Sequence, residues 1–143
     1  MRNDKYVTRL YNEWVEHGKI IIGVDFDDTL KPWKLNEQEE LNFVVKALKL
    51  AMETGCYLVV FTACRTDRYA EIEEHCRQLG LVIDKINQNP IELPYGNQNK
   101  IYANIFIDDR AGLYEAIEIL ESAAYRVRGK RYADETARLP EIA

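Results

Sequence analysis

Apolar residues occur along this chain in two arrangements, short continuous runs and sets with helical spacing. The continuous runs are of strand length and apolar on both faces, which predicts four buried strands. These runs cover residues 19–24, 56–62, 81–86 and 104–107. The sets with helical spacing predict four amphipathic helices that alternate with the strands. They cover residues 3–17, 37–54, 66–79 and 112–124.

This alternation predicts an α/β fold in which a parallel sheet is covered by helices on both sides. The chain has 143 residues, the length of one domain, and no repeat or flexible linker divides it. Within that single domain we distinguish an appended N-terminal helix (1–18), a core (19–125) and a charged tail (126–143). The Trp14 face of the first helix could pack on the core, which we favour, or form a contact in a homo-oligomer.

Composition narrows the classes of partner. Hydrophobic residues make up 47% of the chain and charged residues 30%, which is an ordinary globular balance. A formal net charge of -5 gives no sign of affinity for nucleic acid or anionic membranes. No segment approaches the roughly 20 apolar residues that span a bilayer, and the N-terminus lacks the apolar stretch of a signal peptide. The three scattered cysteines predict reduced thiols, so we expect a cytoplasmic protein.

Polar residues follow the predicted strands directly. Ligands of parallel α/β sheets bind at the carboxyl ends of the strands, so these positions are the candidates for chemistry. Asp25 and Asp27 follow the first strand, Thr62 ends the second, and Asp108 and Asp109 follow the fourth. Carboxylates that meet at one edge repel each other, and a bound hard cation relieves that repulsion. An all-oxygen donor set of this kind suits Mg²⁺.

A single Asp at such a position is often a turn or helix-capping residue. We favour that role for Asp28, which lies inside the sequence DFDDT after the first strand. The candidate site is completed by Lys100, which shortly precedes the fourth strand. Asp, Thr, Lys and Asp-Asp thus occur in order at successive strand ends, and this constellation is far more specific than any of its members.

Four segments of residues 19–125 resemble the motifs of the haloacid dehalogenase superfamily of phosphatases. VDFDDTL resembles the first motif, VVFTACR the second, Lys100 the third and IFIDDR the fourth. The resemblance implies a Rossmann-like three-layer α/β/α sandwich with core strand order 3-2-1-4. The intervals between the motifs are too short for the cap domain that many members carry. The chain therefore resembles a small member without a cap, with an open site.

The resemblance also implies an activity, the Mg²⁺-dependent hydrolysis of a phosphate monoester. Asp25 would be the nucleophile that forms an aspartyl-phosphate, and Asp27 the general acid and base. Thr62 and Lys100 would bind the phosphoryl group and neutralise its charge. The implied magnesium ligands are Asp25, Asp27 through its backbone carbonyl, Asp108 and Asp109.

Two arginines next to these residues, Arg65 and Arg110, could bind a second anionic group of the substrate or form surface ion pairs. The identity of the phosphorylated substrate cannot be read from the sequence.

Three alternatives stay open to different degrees. A phosphotransferase of the same family would use the same residues. A receiver-like module also combines Asp, Thr, Lys and Mg²⁺, but its acidic pair comes first in the chain, whereas here the pair comes last. A non-catalytic phosphate-binding module is disfavoured because both Asp25 and Asp27 are present.

Overall fold

The computed structural model describes residues 3–92 and 101–138. These residues form an all-parallel sheet of four strands in the order β3-β2-β1-β4, flanked by helices. The strands are β1 (Ile20–Asp25), β2 (Cys56–Phe61), β3 (Lys85–Ile86) and β4 (Ile105–Ile107). The α-helices are α1 (Asp4–His17), α2 (Gln38–Thr54), α3 (Tyr69–Gln78) and α4 (Leu113–Ala137). The predicted α/β fold class and the core order 3-2-1-4 are confirmed.

The strand β1 lies between β2 and β4, so its pairing determines which residues meet at the carboxyl ends of the strands. Asp25 pairs with Phe61 of β2, and Val24 pairs with Ile107 of β4. Because all strands run in parallel, the residues that follow β1, β2 and β4 emerge at the same edge of the sheet.

The core joins one face of the sheet to the helices. Ile20, Ile22 and Val24 of β1 are fully buried in one cluster with side chains of all four α-helices. Trp14 of α1 is also fully buried, and its Nε1–H donates to the carbonyl of Gly55 at 2.9 Å. Burial of each such side chain contributes about 1.5–3 kcal/mol. The favoured prediction that the Trp14 face packs on the core is confirmed.

The third strand is shorter than the run 81–86 predicted, because a side chain replaces part of the backbone ladder. Asp84 accepts a hydrogen bond from the N–H of Leu58 through its carboxylate at 2.8 Å, and its own N–H donates to the carbonyl of Leu58 at 2.8 Å. Asn104 forms the same pair of hydrogen bonds with Ile21 of β1. Its side-chain oxygen accepts the N–H of Ile21 at 2.7 Å, and its own N–H donates to the carbonyl of Ile21 at 2.8 Å. Regular pairing therefore begins one residue later in both strands.

The C-terminal segment differs most from its prediction, because the charged tail expected from Arg126 is helical as far as Ala137. Arg126 donates to the hydroxyl of Thr8 at 3.1 Å and lies over the ring of Tyr11. Arg131 donates to the carbonyl of Thr54 at 2.6 Å. These contacts tie the charged half of α4 to α1 and α2. In the described part of the chain, no helix has both the length and the apolarity to cross a membrane.

Candidate active site

A tight turn after β1 places the first acidic residues. The carbonyl of the buried Phe26 accepts hydrogen bonds from the N–H groups of Leu30 and Lys31, at 2.9 and 3.1 Å. Asp28 has a φ of 62°, in the left-handed region that Asp tolerates better than most residues. Its carboxylate accepts the N–H of Trp33 at 2.8 Å. Asp28 thus organises the loop, in agreement with the turn role favoured from the sequence.

Three carboxylates meet where β1 and β4 end. Asp25, Asp108 and Asp109 are half-buried, and one oxygen of each lies within 4.8 Å of the others. We call these three residues the acidic cluster. The hydroxyl of the buried Thr29 lies 3.2 Å from Asp25 Oδ2 and 3.1 Å from Asp109 Oδ1, and it accepts the N–H of Asp109 at 3.1 Å. Since a hydroxyl has one proton, Thr29 donates to one carboxylate at a time and holds the two at a fixed spacing.

The electrostatics of the acidic cluster favour a cation. The pKa of Asp25 is raised to about 7, first by burial and then by the hydrogen bond with Asp109 and the charge of Asp108, while the hydrogen bond with the Thr29 hydroxyl lowers it. Within residues 3–92 and 101–138, no lysine or arginine forms an ion pair with the cluster. Three convergent oxygen donors without a basic partner fit a hard divalent cation such as Mg²⁺.

Asp27 lies in a different environment. Its two carboxylate oxygens accept from the two terminal nitrogens of Arg68, each at 3.2 Å. Arg68 also donates from Nε to Glu71 at 3.3 Å, and Glu71 pairs with Lys31. The guanidinium lies 5.2 Å from the centroid of the Trp33 ring. We call Asp27, Arg68, Glu71 and Lys31 the Arg68 network.

The structure therefore divides the four acidic residues predicted to surround magnesium. Asp25, Asp108 and Asp109 lie together, whereas the side chain of Asp27 is directed to Arg68. This does not bear on the backbone carbonyl of Asp27, through which we predicted ligation. Sequence reasoning missed Arg68, which is 41 positions from Asp27 and carries no motif.

Thr62 is held at the end of β2 by a residue that the sequence analysis also missed. Asn87 accepts the N–H of Thr62 and donates to its carbonyl, both at 2.8 Å. Asn87 also donates to the hydroxyl of Tyr69 at 2.9 Å. The Thr62 hydroxyl accepts the N–H of Cys64 at 3.2 Å, so its own proton can be donated to a ligand.

Two of the three basic candidates, Arg65 and Arg110, lie within the described residues and form no ion pair with the acidic cluster. Arg65 is exposed on the turn before α3, and Arg110 is exposed at the edge of a cleft that Asp109 borders. Lys100 lies outside the described residues.

Between β1 and β2 the chain forms only a loop and α2, and between β2 and β3 only a 3-10 turn (Thr66–Arg68), α3 and a short connection. Neither of these two intervals holds a cap domain; the second predicted interval, 62–100, extends beyond the described residues.

Comparison with known proteins supports the fold. No family model and no curated protein matches the chain. A solved structure from Bacteroides thetaiotaomicron, described as that of a conserved protein coded by a locus of that organism, is similar with a TM-score of 0.59 and 29% identity. The match covers 76% of this chain and 91% of the other. That description names no activity.

Proposed function

We propose that this protein is a Mg²⁺-dependent phosphohydrolase of the haloacid dehalogenase type, which cleaves a phosphate monoester through phosphorylation of Asp25. The observation that carries the proposal is the convergence of Asp25, Asp108 and Asp109 within 4.8 Å, at the carboxyl ends of β1 and β4. Their order and position are those of the first and fourth motifs that the sequence resembles.

The acidic cluster would hold the cation, together with the backbone carbonyl of Asp27. Bound there, Mg²⁺ would offset the repulsion among the carboxylates, favour the ionised form of Asp25 and draw charge from the phosphoryl oxygens. The donor set supports this ion because all its members are oxygens and the site is open to substrate and water.

The covalent chemistry belongs to Asp25 and Asp27. A carboxylate oxygen of Asp25 attacks phosphorus, and the bond from phosphorus to the leaving-group oxygen breaks while Asp27 donates a proton to that oxygen. A water molecule then attacks phosphorus and passes a proton to Asp27. The bond from phosphorus to Asp25 breaks, which releases phosphate and regenerates both carboxyl groups.

The remaining residues position and neutralise. The Thr62 hydroxyl has a proton to donate to a phosphoryl oxygen, and Lys100 would supply positive charge. Arg68 engages both oxygens of Asp27, so one of these hydrogen bonds has to open when Asp27 exchanges a proton with the leaving group or with water. Arg68 is therefore a positioning residue for the acid–base group.

The test is hydrolysis of nitrophenyl phosphate with Mg²⁺ by the wild type, Asp25→Asn and Asp67→Asn. Asp67 is an exposed Asp in the 3-10 turn before α3, outside the site, and serves as the matched control. Loss of the nucleophile should lower kcat by about a thousandfold or more, whereas Asp67→Asn should keep wild-type activity. Circular dichroism would establish that both variants are folded.

Equal rates for wild type and Asp25→Asn would overturn the proposal. Chelation of divalent cations should abolish turnover, and added Mg²⁺ should restore it. Activity that persists after complete chelation would remove the metal from the mechanism.

A further inference from the structure

An open cleft adjoins the acidic cluster on the side of α2 and α4. It has a volume of about 660 Å³ and lies between the loop after β1 and the first turns of the two helices. Asp28 and Asp109 border it, so a group bound in the cleft would lie next to the proposed reaction centre. The cleft is therefore bordered by the loop after β1, through Asp28, and by the acidic cluster, through Asp109.

Two large apolar side chains of this cleft are exposed to solvent. Leu35, in the loop after β1, is 81% exposed, and Tyr114, at the start of α4, is 78% exposed. They come from separate elements and border the same cleft. Exposed apolar side chains that gather at a concave site, rather than scattering singly, mark a surface for an apolar ligand group.

The ring of Tyr114 is held by a second ring that also borders the cleft. It stacks on the half-buried ring of Phe43 of α2, with centroids 5.2 Å apart and an interplanar angle of 15°. A ring held in this way loses little conformational freedom when a ligand covers it, which suits it to stack on another planar group. Leu35 supplies a further apolar contact.

Polar groups occupy the remaining border of the cleft. Arg110 is exposed there, and its backbone N–H donates to the carboxylate of Asp108 at 3.0 Å. A ligand in the cleft therefore meets an apolar, aromatic surface, and both Asp109 and the exposed Arg110 border the same cleft.

We propose that this cleft binds the leaving group of the substrate and that the leaving group contains a planar aromatic ring, which contacts Tyr114 and Leu35. This inference rests on the proposed function and adds to it the class of substrate, an aromatic phosphate monoester. Small aliphatic phosphates would reach Asp25 without filling the cleft, so they gain nothing from Tyr114 or Leu35.

The experiment compares kcat/KM for naphthyl phosphate and glycerol phosphate in the wild type, Tyr114→Ala, Tyr114→Phe and Tyr132→Ala. Tyr132 lies on the same helix, is 70% exposed and does not border the cleft, so it is the matched control. Tyr114→Ala should lower kcat/KM for naphthyl phosphate about tenfold through KM, which is the size of an aromatic contact. The value for glycerol phosphate should not change, and Tyr114→Phe and Tyr132→Ala should behave like the wild type.

Fluorescence titration with naphthol, the leaving group alone, separates this inference from the proposed function. If the enzyme hydrolyses both esters but Tyr114→Ala affects them equally or not at all, the aromatic subsite is wrong and the phosphatase stands. If no ester is hydrolysed but naphthol binds with an affinity that depends on Tyr114, the proposed activity fails and the subsite stands. Naphthol binding that is the same in wild type and Tyr114→Ala would overturn the subsite in either case.

Discussion

The acidic cluster and the Arg68 network, which lie at the same end of the sheet, differ in how their carboxylates are paired. In the Arg68 network, Asp27 and Glu71 are matched by Arg68 and Lys31 at contact distance. In the acidic cluster, three carboxylates converge, and no basic side chain of the described residues pairs with them. Within the described residues, basic side chains therefore compensate the acids of the Arg68 network and not those of the acidic cluster.

This difference separates acids whose charge is compensated by basic side chains of the fold from acids that repel one another. Convergent carboxylates destabilise the folded chain, so a site that keeps them needs a compensating ligand. The pKa of Asp25 is raised first by burial and then by its acidic neighbours, which is the effect expected of carboxylates that repel one another. The network beside it shows that the same loop can recruit an arginine for Asp27. Substitutions that neutralise one charge in the acidic cluster or in the Arg68 network test this difference.

The largest effect is expected for Asp109→Asn, with Glu71→Gln as its counterpart in the Arg68 network. Asp109 is in the proposed metal site, so its loss should weaken Mg²⁺ binding and lower kcat/KM at limiting Mg²⁺ by at least about a hundredfold. Glu71→Gln should leave Mg²⁺ affinity unchanged. Calorimetric titration would measure the Mg²⁺ affinity of each variant, and initial rates would measure kcat/KM. Similar Mg²⁺ affinities in Asp109→Asn and Glu71→Gln would show that the acidic cluster is not the metal site.

A smaller effect is expected for Arg68→Gln, and it should depend on the leaving group. Without Arg68, the carboxylate of Asp27 loses both of its guanidinium hydrogen bonds. Esters of alcohols, which need a proton on the departing oxygen, should lose about tenfold or more in kcat, whereas nitrophenyl phosphate should lose little.

Two further arginine variants sharpen this test. Arg68→Lys should recover part of the loss because a lysine keeps the charge without the bidentate geometry. Arg77→Gln removes an exposed arginine of α3 that pairs with Glu74 and should have no effect. An equal loss for both classes of ester in Arg68→Gln would show that Arg68 acts otherwise than through Asp27.

The smallest effect concerns stability in the absence of metal. In the unfolded chain Asp25 ionises near its ordinary pKa of 3.8, whereas in the folded protein its pKa is about 7. Between these values the folded state binds more protons, so the free energy of unfolding falls as pH rises. The contribution is complete below about pH 4 and is lost as pH rises through about 7.

The melting temperature of the metal-free protein should therefore be several degrees lower at pH 8 than at pH 5, a range chosen to bracket the upper part of that transition. Asp25→Asn should reduce this difference, and Mg²⁺ should offset it. Asp84→Asn, which changes a carboxylate between β2 and β3 outside the site, is the control. A melting temperature that rises steadily from pH 5 to pH 8 in the metal-free protein would contradict the assigned direction.

The sequence predicted the elements whose signal is local. The apolar runs of β1 and β2 and the helical faces of α1 and α2 agree with the structure within a residue or two. The positions of the acids directly after β1 and β4 were also readable, because parallel strands bring their carboxyl ends to one edge.

The features that the sequence did not reveal depend on contacts between distant residues. Asp27 and Arg68 are 41 positions apart, and Thr62 and Asn87 are 25 apart. The run 81–86 has the apolar character of a strand, but the carboxylate of Asp84 takes a hydrogen bond that backbone pairing would otherwise use. The second half of α4 looks like a tail because Val127 is its one buried apolar residue within the described chain, while Arg126 and Arg131 make contacts that no apolar pattern reveals.

The proposed function requires that Asp25, Asp108 and Asp109 form a single divalent-cation site. The most direct measurement is the anomalous scattering of Mn²⁺ in crystals of the wild-type protein, since Mn²⁺ shares the oxygen ligands of Mg²⁺. We expect one strong peak within coordination distance of all three carboxylates. A peak elsewhere, or none between these residues at a saturating Mn²⁺ concentration, would contradict it.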